Sequence, residues 1–201
     1  MPDAAEIRRN LTGAWQLMMG RPDGMRLLDT SIEGFWDSFF AIAFAAPALA
    51  VGWIAGANDF QQMVVGGSRV STIVRLAFID LAVWILPLVA LALVVKRAGI
   101  ADRFVPYVVS ANWASVLLVW MMLPPSLLRL VAPEAGDLAS TLAVLLFMVS
   151  LVLSWRQTNA ALNKGPAVAT ALFVGMFLCA LAVLVVLQAA FGLHVPEQMP
   201  G

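Results

Sequence analysis

The feature that most constrains the fold is a stretch of 25 residues without a charged side chain, from Phe104 to Leu128, bracketed by Arg103 and Arg129. A helix rises about 1.5 Å per residue, so about 20 apolar residues cross the roughly 30 Å hydrocarbon core of a bilayer. Two similar apolar blocks precede this stretch and two follow it. The sequence therefore predicts an all-α, polytopic transmembrane helical bundle with five spans.

Composition indicates the same class of protein and excludes several others. Hydrophobic residues make up 62% of the chain and charged residues 12%, about half the charged share of a soluble domain. The formal net charge is zero, which argues against a nucleic-acid partner. Cys179 is the only cysteine, so neither an intrachain disulfide nor a cysteine-based metal site is expected.

The chain divides into an N-terminal segment (1–32), a transmembrane domain (33–193) and a short tail (194–201). Asp137 is a plausible N-cap for the fourth span, and Pro124-Pro125 should end the third. Residues 157–164 are predicted to form a polar loop. The predicted spans are 34–56, 70–95, 104–123, 138–155 and 166–191.

Residues 1–20 lack the apolar core and the cleavage site of a signal peptide, and they fit an amphipathic helix instead. Its predicted apolar face consists of Ile7, Leu11, Ala14, Trp15, Leu17 and Met18. One interpretation is a helix lying in the headgroup region, with Trp15 at the interface and Arg8 and Arg9 on anionic phosphates. The alternative is a helix packed on the protein's own cytoplasmic loops.

Asp80 is the only carboxylate clearly inside a predicted span, which makes it a candidate for function. Arg75 lies five residues away, about 140° round the helix, and faces it poorly. Arg129 should lie at the same membrane edge as Arg75 and is the better partner. Two interpretations of Asp80 follow. It is either a structural group, paired with another residue or hydrated at the interface, or it is part of a site for a proton, an ion or a substrate. Asn112 requires an interhelical hydrogen bond.

Small residues at intervals of four mark two candidate helix-packing faces, although such rows also arise by chance in alanine-rich spans. Trp36 and Trp53 lie 17 residues apart, as the two ends of an aromatic belt would. His194, alone in the tail, is not expected to bind a metal. The candidate packing residues are Ala48, Gly52 and Gly56 in the first span, and Ala171, Gly175 and Cys179 in the fifth.

Basic residues predict the orientation, because they are enriched on the cytoplasmic side. Five spans place nine of the twelve Lys and Arg residues on the side of the N-terminus and three on the other. We therefore expect a cytoplasmic N-terminus and an exterior C-terminus. The three residues on the exterior side are Arg69, Arg75 and Arg129.

Two stretches resemble the Yip1-domain family of five-span membrane proteins. One is VVKRAGIADRFVPYVVSANW followed by LPPSLLRL, and the other is SWRQTNAALNKGPAVATALFV. The resemblance implies a small helical bundle of the family's bacterial branch, in the inner membrane, whose biochemical role is usually undefined. The acidic, aromatic N-terminal motif of the eukaryotic members is not apparent, so their partner binding does not carry over.

These observations favour a non-enzymatic membrane protein that organises membrane partners or lipids. The alternative is a small transporter or channel component that uses Asp80 and Asn112 inside the bundle. An enzyme is not expected, because the sequence has no H-E-x-x-H motif, no Ser/His/Asp set and no acidic pair within a span. No cofactor is implied. The expected partners are the bilayer and other membrane proteins or further copies of the chain.

Overall fold

The structure is a computed structural model that describes residues 2–63 and 68–193, and their regular secondary structure is entirely helical. The predicted tail, with His194, lies outside the described residues. The predicted fold class is confirmed, because five helical segments are long and apolar enough to cross a membrane. The chain is a multi-pass membrane protein. The five segments are Ile32–Gln61, Arg69–Val94, Ala101–Val131, Pro133–Leu162 and Pro166–Ala190.

The described residues form eight α-helices, of which α1 precedes the five segments, and short 3-10 turns or breaks separate them. In chain order they are α1 (Ala4–Met18), α2 (Ile32–Asp37), α3 (Ala41–Met63), α4 (Arg69–Val94), α5 (Phe104–Met121), α6 (Leu123–Val131), α7 (Gly136–Leu162) and α8 (Pro166–Ala190). The 3-10 segments are Pro22–Leu27, Ser38–Phe40, Ala101–Arg103 and Pro133–Ala135.

Local signals account for several of the helix ends. At the start of α1, Asp3 accepts a hydrogen bond from the Glu6 backbone N–H (2.8 Å) and Glu6 accepts one from Asp3 (3.0 Å), a reciprocal capping box. The N-cap predicted at Asp137 is wrong: Ala135 is the N-cap of α7, and Asp137 lies in the first turn. There its negative charge still favours the positive end of the helix dipole.

The tandem prolines separate α5 from α6. Helix α5 ends at Met121, and Pro124 and Pro125 occupy the first turn of α6. Proline is tolerated in a first turn because those backbone N–H groups have no partner inside the helix. The third span is therefore a helix with a break near its end.

The five long helices form a closed ring. Going round it, α3 contacts α4, α4 contacts α8, α8 contacts α7, α7 contacts α5, and α5 returns to α3. Helix α6 lies against α3 and α7. Across the ring, the described part of α4 is too far from α5 and α7 for close backbone packing. This arrangement leaves space at the centre.

Helix α1 packs on the outside of the ring, against α5 and α7. Its Leu17 and Met18 are fully buried in a cluster with Val109 and Trp113 of α5 and Leu153 of α7. The next segment, Pro22–Leu27, folds back against α1. Together α1 and this segment form what we call the N-terminal hairpin.

Candidate functional site

The centre of the ring holds a cavity of about 430 Å³ that residues from all five spans line. Small-molecule sites in proteins have volumes of this order. Most of the wall is apolar, but several polar side chains reach it. These are Asp80 on α4, Asn112 and Ser115 on α5, and Ser154, Gln157 and Thr158 on α7.

Asp80 is the twelfth of the 26 residues of α4, which places it close to the middle of the span. Its Oδ2 accepts a hydrogen bond from the indole Nε1 of Trp53 on α3, at 2.6 Å. Hydrogen bonds to a charged acceptor are short and strong. Trp53, which the sequence placed at one end of an aromatic belt, therefore holds this carboxylate through its indole N–H.

The structure separates Asp80 from the two arginines considered as its partners. Arg75 Nη1 donates to the Phe191 carbonyl oxygen at the end of α8 (2.9 Å). Arg129 forms a salt bridge with Asp59 of α3 (3.4 Å), so the predicted Arg129–Asp80 pair is wrong. Helix α6 lies against α3, and Asp59 is the carboxylate it meets there. In the described part of the chain, no cationic side chain lies within 4.0 Å of Asp80.

Asn112 links three parts of the bundle and is only 1% exposed. Its Oδ1 accepts from Trp84 Nε1 of α4 (3.0 Å), and its Nδ2 donates to Ser38 Oγ ahead of α3 (2.9 Å). Ser38 Oγ in turn donates to the Phe35 carbonyl oxygen (2.7 Å). The interhelical hydrogen bond predicted for Asn112 is therefore present.

A second polar group lies where α5 meets α7. Gln157 Nε2 donates to Ser110 Oγ (2.7 Å), Ser110 Oγ donates to the Tyr107 carbonyl oxygen (3.0 Å), and Thr158 Oγ1 donates to Gln157 Oε1 (3.4 Å). All four residues are buried. This amide supplies a second polar contact to the cavity, on the wall opposite α4.

The sequence interpretation missed Gln157 because it placed the residue in a loop. Helix α7 continues to Leu162, so Gln157 faces the interior of the bundle. A signal for this was present: residues 156–162 contain no glycine or proline and consist mostly of residues that favour helix. The first strong breaker in this region is Gly165.

The row of small residues on α3 meets two different neighbours. Ala48 is buried. A Cβ added to Gly52 would lie 3.9 Å from Ser126 Oγ of α6, whereas one on Gly56 would lie 3.3 Å from Leu76 Cδ1 of α4. Close approach of a neighbouring helix therefore occurs at Gly56, toward α4.

The row on α8 is more open. Ala171, Gly175 and Cys179 line a groove of about 520 Å³ between α4 and α8. A Cβ added to Gly175 would have no atom within 4 Å. Within the described part of this chain, Gly175 therefore makes no close helix contact.

The N-terminal helix presents two distinct faces. Most of its predicted apolar residues pack on α5 and α7, which are spanning helices rather than the loops considered from the sequence. Trp15 lies outside this face and is 49% exposed. Arg8 and Arg9 are exposed beside it. These exposed side chains are therefore available for the contact with lipid headgroups that the sequence predicts.

Two loops meet at the end of the bundle that carries the N-terminal hairpin, which we call the basic end. Lys164 Nζ donates to Asp102 Oδ1 (2.7 Å) and to the Gly99 carbonyl oxygen (2.8 Å). Asp102 lies in the exposed 3-10 turn Ala101–Arg103 that precedes the spanning helix α5, and the hydrogen bond from Lys164 holds its pKa below its ordinary value. The contact ties the α4–α5 connection to the α7–α8 connection.

The described residues contain no cluster of three or more His, Cys, Asp or Glu side chains that could hold a metal ion. Comparisons with protein families, with curated proteins and with solved structures found no match to the chain. The resemblance to the Yip1-domain family therefore stays a prediction.

Proposed function

We propose that the ring of helices binds a small cationic solute or a proton at the middle of the membrane, as a small transporter or a component of one. The observation that carries this proposal is Asp80, a carboxylate on the cavity wall with an indole N–H as its partner and no cation within 4.0 Å in the described part of the chain. Charged groups inside a membrane are costly and commonly mark substrate or ion paths.

The remaining wall suits this chemistry. A cation in the cavity would be attracted by the negative charge of Asp80, and the indole ring of Trp84 on the same wall offers a π-face of the kind that attracts cations. Asn112 and Gln157 already use donors and acceptors to hold the helices together. They therefore shape the cavity, whereas Asp80 holds the charge available to a ligand.

The sequence favours an organiser of partners or lipids because intramembrane polar groups are few. The structure brings most of these few groups to one cavity, and for that reason we rank the transporter above the organiser. The observation that favours the organiser is the open groove along Ala171, Gly175 and Cys179, which could accept an acyl chain or a helix of another protein. Both proposals are non-enzymatic.

We further propose a bacterial inner membrane as the location, with the N-terminus in the cytoplasm. The location rests on the resemblance to the Yip1-domain family, and support for the orientation comes from the division of basic residues, nine against three. The contacts of Lys164 with Asp102 and of Arg156 with Met19 are in keeping with this division, because they join three of the basic segments at one end of the bundle.

Asp80→Asn tests the proposal sharply. An amide oxygen can still accept the Trp53 N–H, so the fold should survive while the charge is lost. In liposomes, we expect uptake of tetramethylammonium, or proton entry reported by an internal pH dye, to fall at least tenfold with an unchanged melting temperature. Asp59→Asn, at the Arg129 salt bridge, is the matched control and should retain flux.

Two outcomes would contradict the transporter. One is flux that is equal for the wild type, Asp80→Asn and protein-free liposomes. The other is a melting temperature that falls in Asp80→Asn without any change in flux. Either result would leave Asp80 as a structural group and favour the organiser.

A further inference from the structure

A separate pocket of about 340 Å³ lies at the basic end, between the N-terminal hairpin and the connection from α7 to α8. It shares no lining residue with the central cavity. The residues that matter for its chemistry are Gly20, Pro22, Trp155, Arg156, Asn159 and Asn163.

The depth of this pocket follows from the sequence of α7. The apolar run of this helix ends at Leu153, and Trp155 and Arg156 follow almost directly. Tryptophan and arginine are typical of the level where hydrocarbon meets lipid headgroups. Trp155 donates its indole N–H to Thr170 Oγ1 across the gap to α8 (3.0 Å). The pocket therefore opens at headgroup depth.

The hairpin holds the positive charge of the pocket in place. Arg156 Nη2 donates to the Met19 carbonyl oxygen, and the next residue, Gly20, has a φ of 75°. A Cβ on Gly20 would lie 2.9 Å from Arg156 Nη2, so glycine is needed both for the backbone conformation and for the guanidinium to lie there. The other N–H groups of Arg156 stay available.

In the part of the chain that the structure describes, no carboxylate balances this charge. Among the described residues, no Asp or Glu lines the pocket, and none lies within 4.0 Å of Arg156. Asn159 adds an independent observation, because its Oδ1 is buried and accepts no hydrogen bond within the described part of the chain. A buried polar atom without a partner costs stability until a donor reaches it.

We infer that this pocket binds a phosphate ester that carries a hydroxyl or ammonium group nearby. The phosphate contacts Arg156, since guanidinium groups match phosphate geometry, and the hydroxyl or ammonium donates to the Asn159 amide oxygen once that side chain turns toward the pocket that it lines. Phosphoglycerol and phosphoethanolamine headgroups of membrane lipids have both features. A soluble phosphate ester such as glycerol 3-phosphate has the same chemistry.

The test is a titration of the delipidated full-length protein in detergent with phosphatidylglycerol, followed by native mass spectrometry. Arg156→Gln removes the charge and leaves a shorter polar side chain. Asn159→Asp keeps the shape and adds a negative charge. We expect each variant to bind the lipid at least tenfold more weakly, whereas Arg97→Gln, an exposed arginine at the same end, should bind like the wild type.

Competition and stability measurements complete the design. If glycerol 3-phosphate displaces the lipid at a similar concentration, the site is one for soluble phosphate esters; if it does not, the ligand is the lipid. Melting temperatures show whether either variant has lost its fold. If Arg156→Gln does not fold, the lipid affinity of Asn159→Asp provides the test. Equal weakening in Arg156→Gln and Arg97→Gln, or unchanged binding in Asn159→Asp, would overturn the inference.

Discussion

Asn112 should contribute measurably to the stability of the bundle, and Asn112→Leu tests this with little change in side-chain size. The substitution removes the acceptor of the Trp84 indole N–H and the donor to Ser38 Oγ. Ser38 keeps its bond to the Phe35 carbonyl, so Trp84 is the group that loses its partner. The cost is therefore concentrated on one indole N–H.

The expected magnitude follows from that single loss. A buried donor left without a partner costs about 1–3 kcal/mol, while interhelical hydrogen bonds within membranes contribute about 0.6 kcal/mol on average and at most about 1.7 kcal/mol. Trp84 also lines the central cavity, where water can replace Asn112 as its acceptor. We therefore expect Asn112→Leu to lower the free energy of unfolding by about 1–2 kcal/mol.

A double-mutant cycle with Trp84→Phe isolates the bond, measured by SDS titration of the reconstituted protein with far-ultraviolet circular dichroism. In the Trp84→Phe background no indole N–H remains, so Asn112→Leu should cost about 1 kcal/mol less than in the wild type. Ser150→Ala is the control, since that hydroxyl is bonded only within α7 and should change stability by less than about 0.5 kcal/mol. Equal costs of Asn112→Leu in both backgrounds would refute the reasoning.

Two further predictions concern the basic end and the helix contacts. Gly13→Ala places a Cβ 2.8 Å from the Gly24 carbonyl oxygen, so it should lower the free energy of unfolding by about 1–3 kcal/mol and limited proteolysis should release α1 more readily. In contrast, Gly175→Ala meets no atom within 4 Å and should leave the stability unchanged or raise it. Because the pKa of Asp102 is lowered by its bond to Lys164, its contribution to stability is present at neutral pH and is lost as the pH falls below about 3.9. The difference in melting temperature between the wild type and Asp102→Asn should therefore shrink from pH 6 to pH 3. A difference that stays constant over this range would contradict a stabilising bond between Asp102 and Lys164.

The number of spans was predictable because a bilayer allows few solutions. Every backbone polar group in hydrocarbon must be paired within the protein, so each apolar run of about 20 residues forms a helix. The partner of Asp80 was not predictable in the same way. Hydropathy indicates how deep a residue lies but not how its helix is rotated, and Arg129 meets Asp59 on the neighbouring α3 instead.

Trp53 shows a second limit of sequence reasoning. Its distance from Trp36 suits an aromatic belt, but an indole N–H is also a good donor for a carboxylate within a span. The spacing of two tryptophans does not identify the hydrogen-bond partner of either, and it is the packing of α3 against α4 that brings Trp53 to Asp80. Gln157 was missed for a simpler reason: α7 extends seven residues beyond the predicted end at position 155.

In this bundle the polar residues indicate which side of a helix faces inward better than the apolar residues do, as α5 and α8 show. Neither helix carries a charged side chain, yet α5 has eight buried residues and α8 has only Ala169. Lipid tails are as apolar as a protein core, so an aliphatic side chain has little preference between them. An amide or a carboxylate does have such a preference, because lipid offers it no hydrogen bond. Asn112 and Asp80 turn inward for this reason, and the cavity that they line is where the function should be sought.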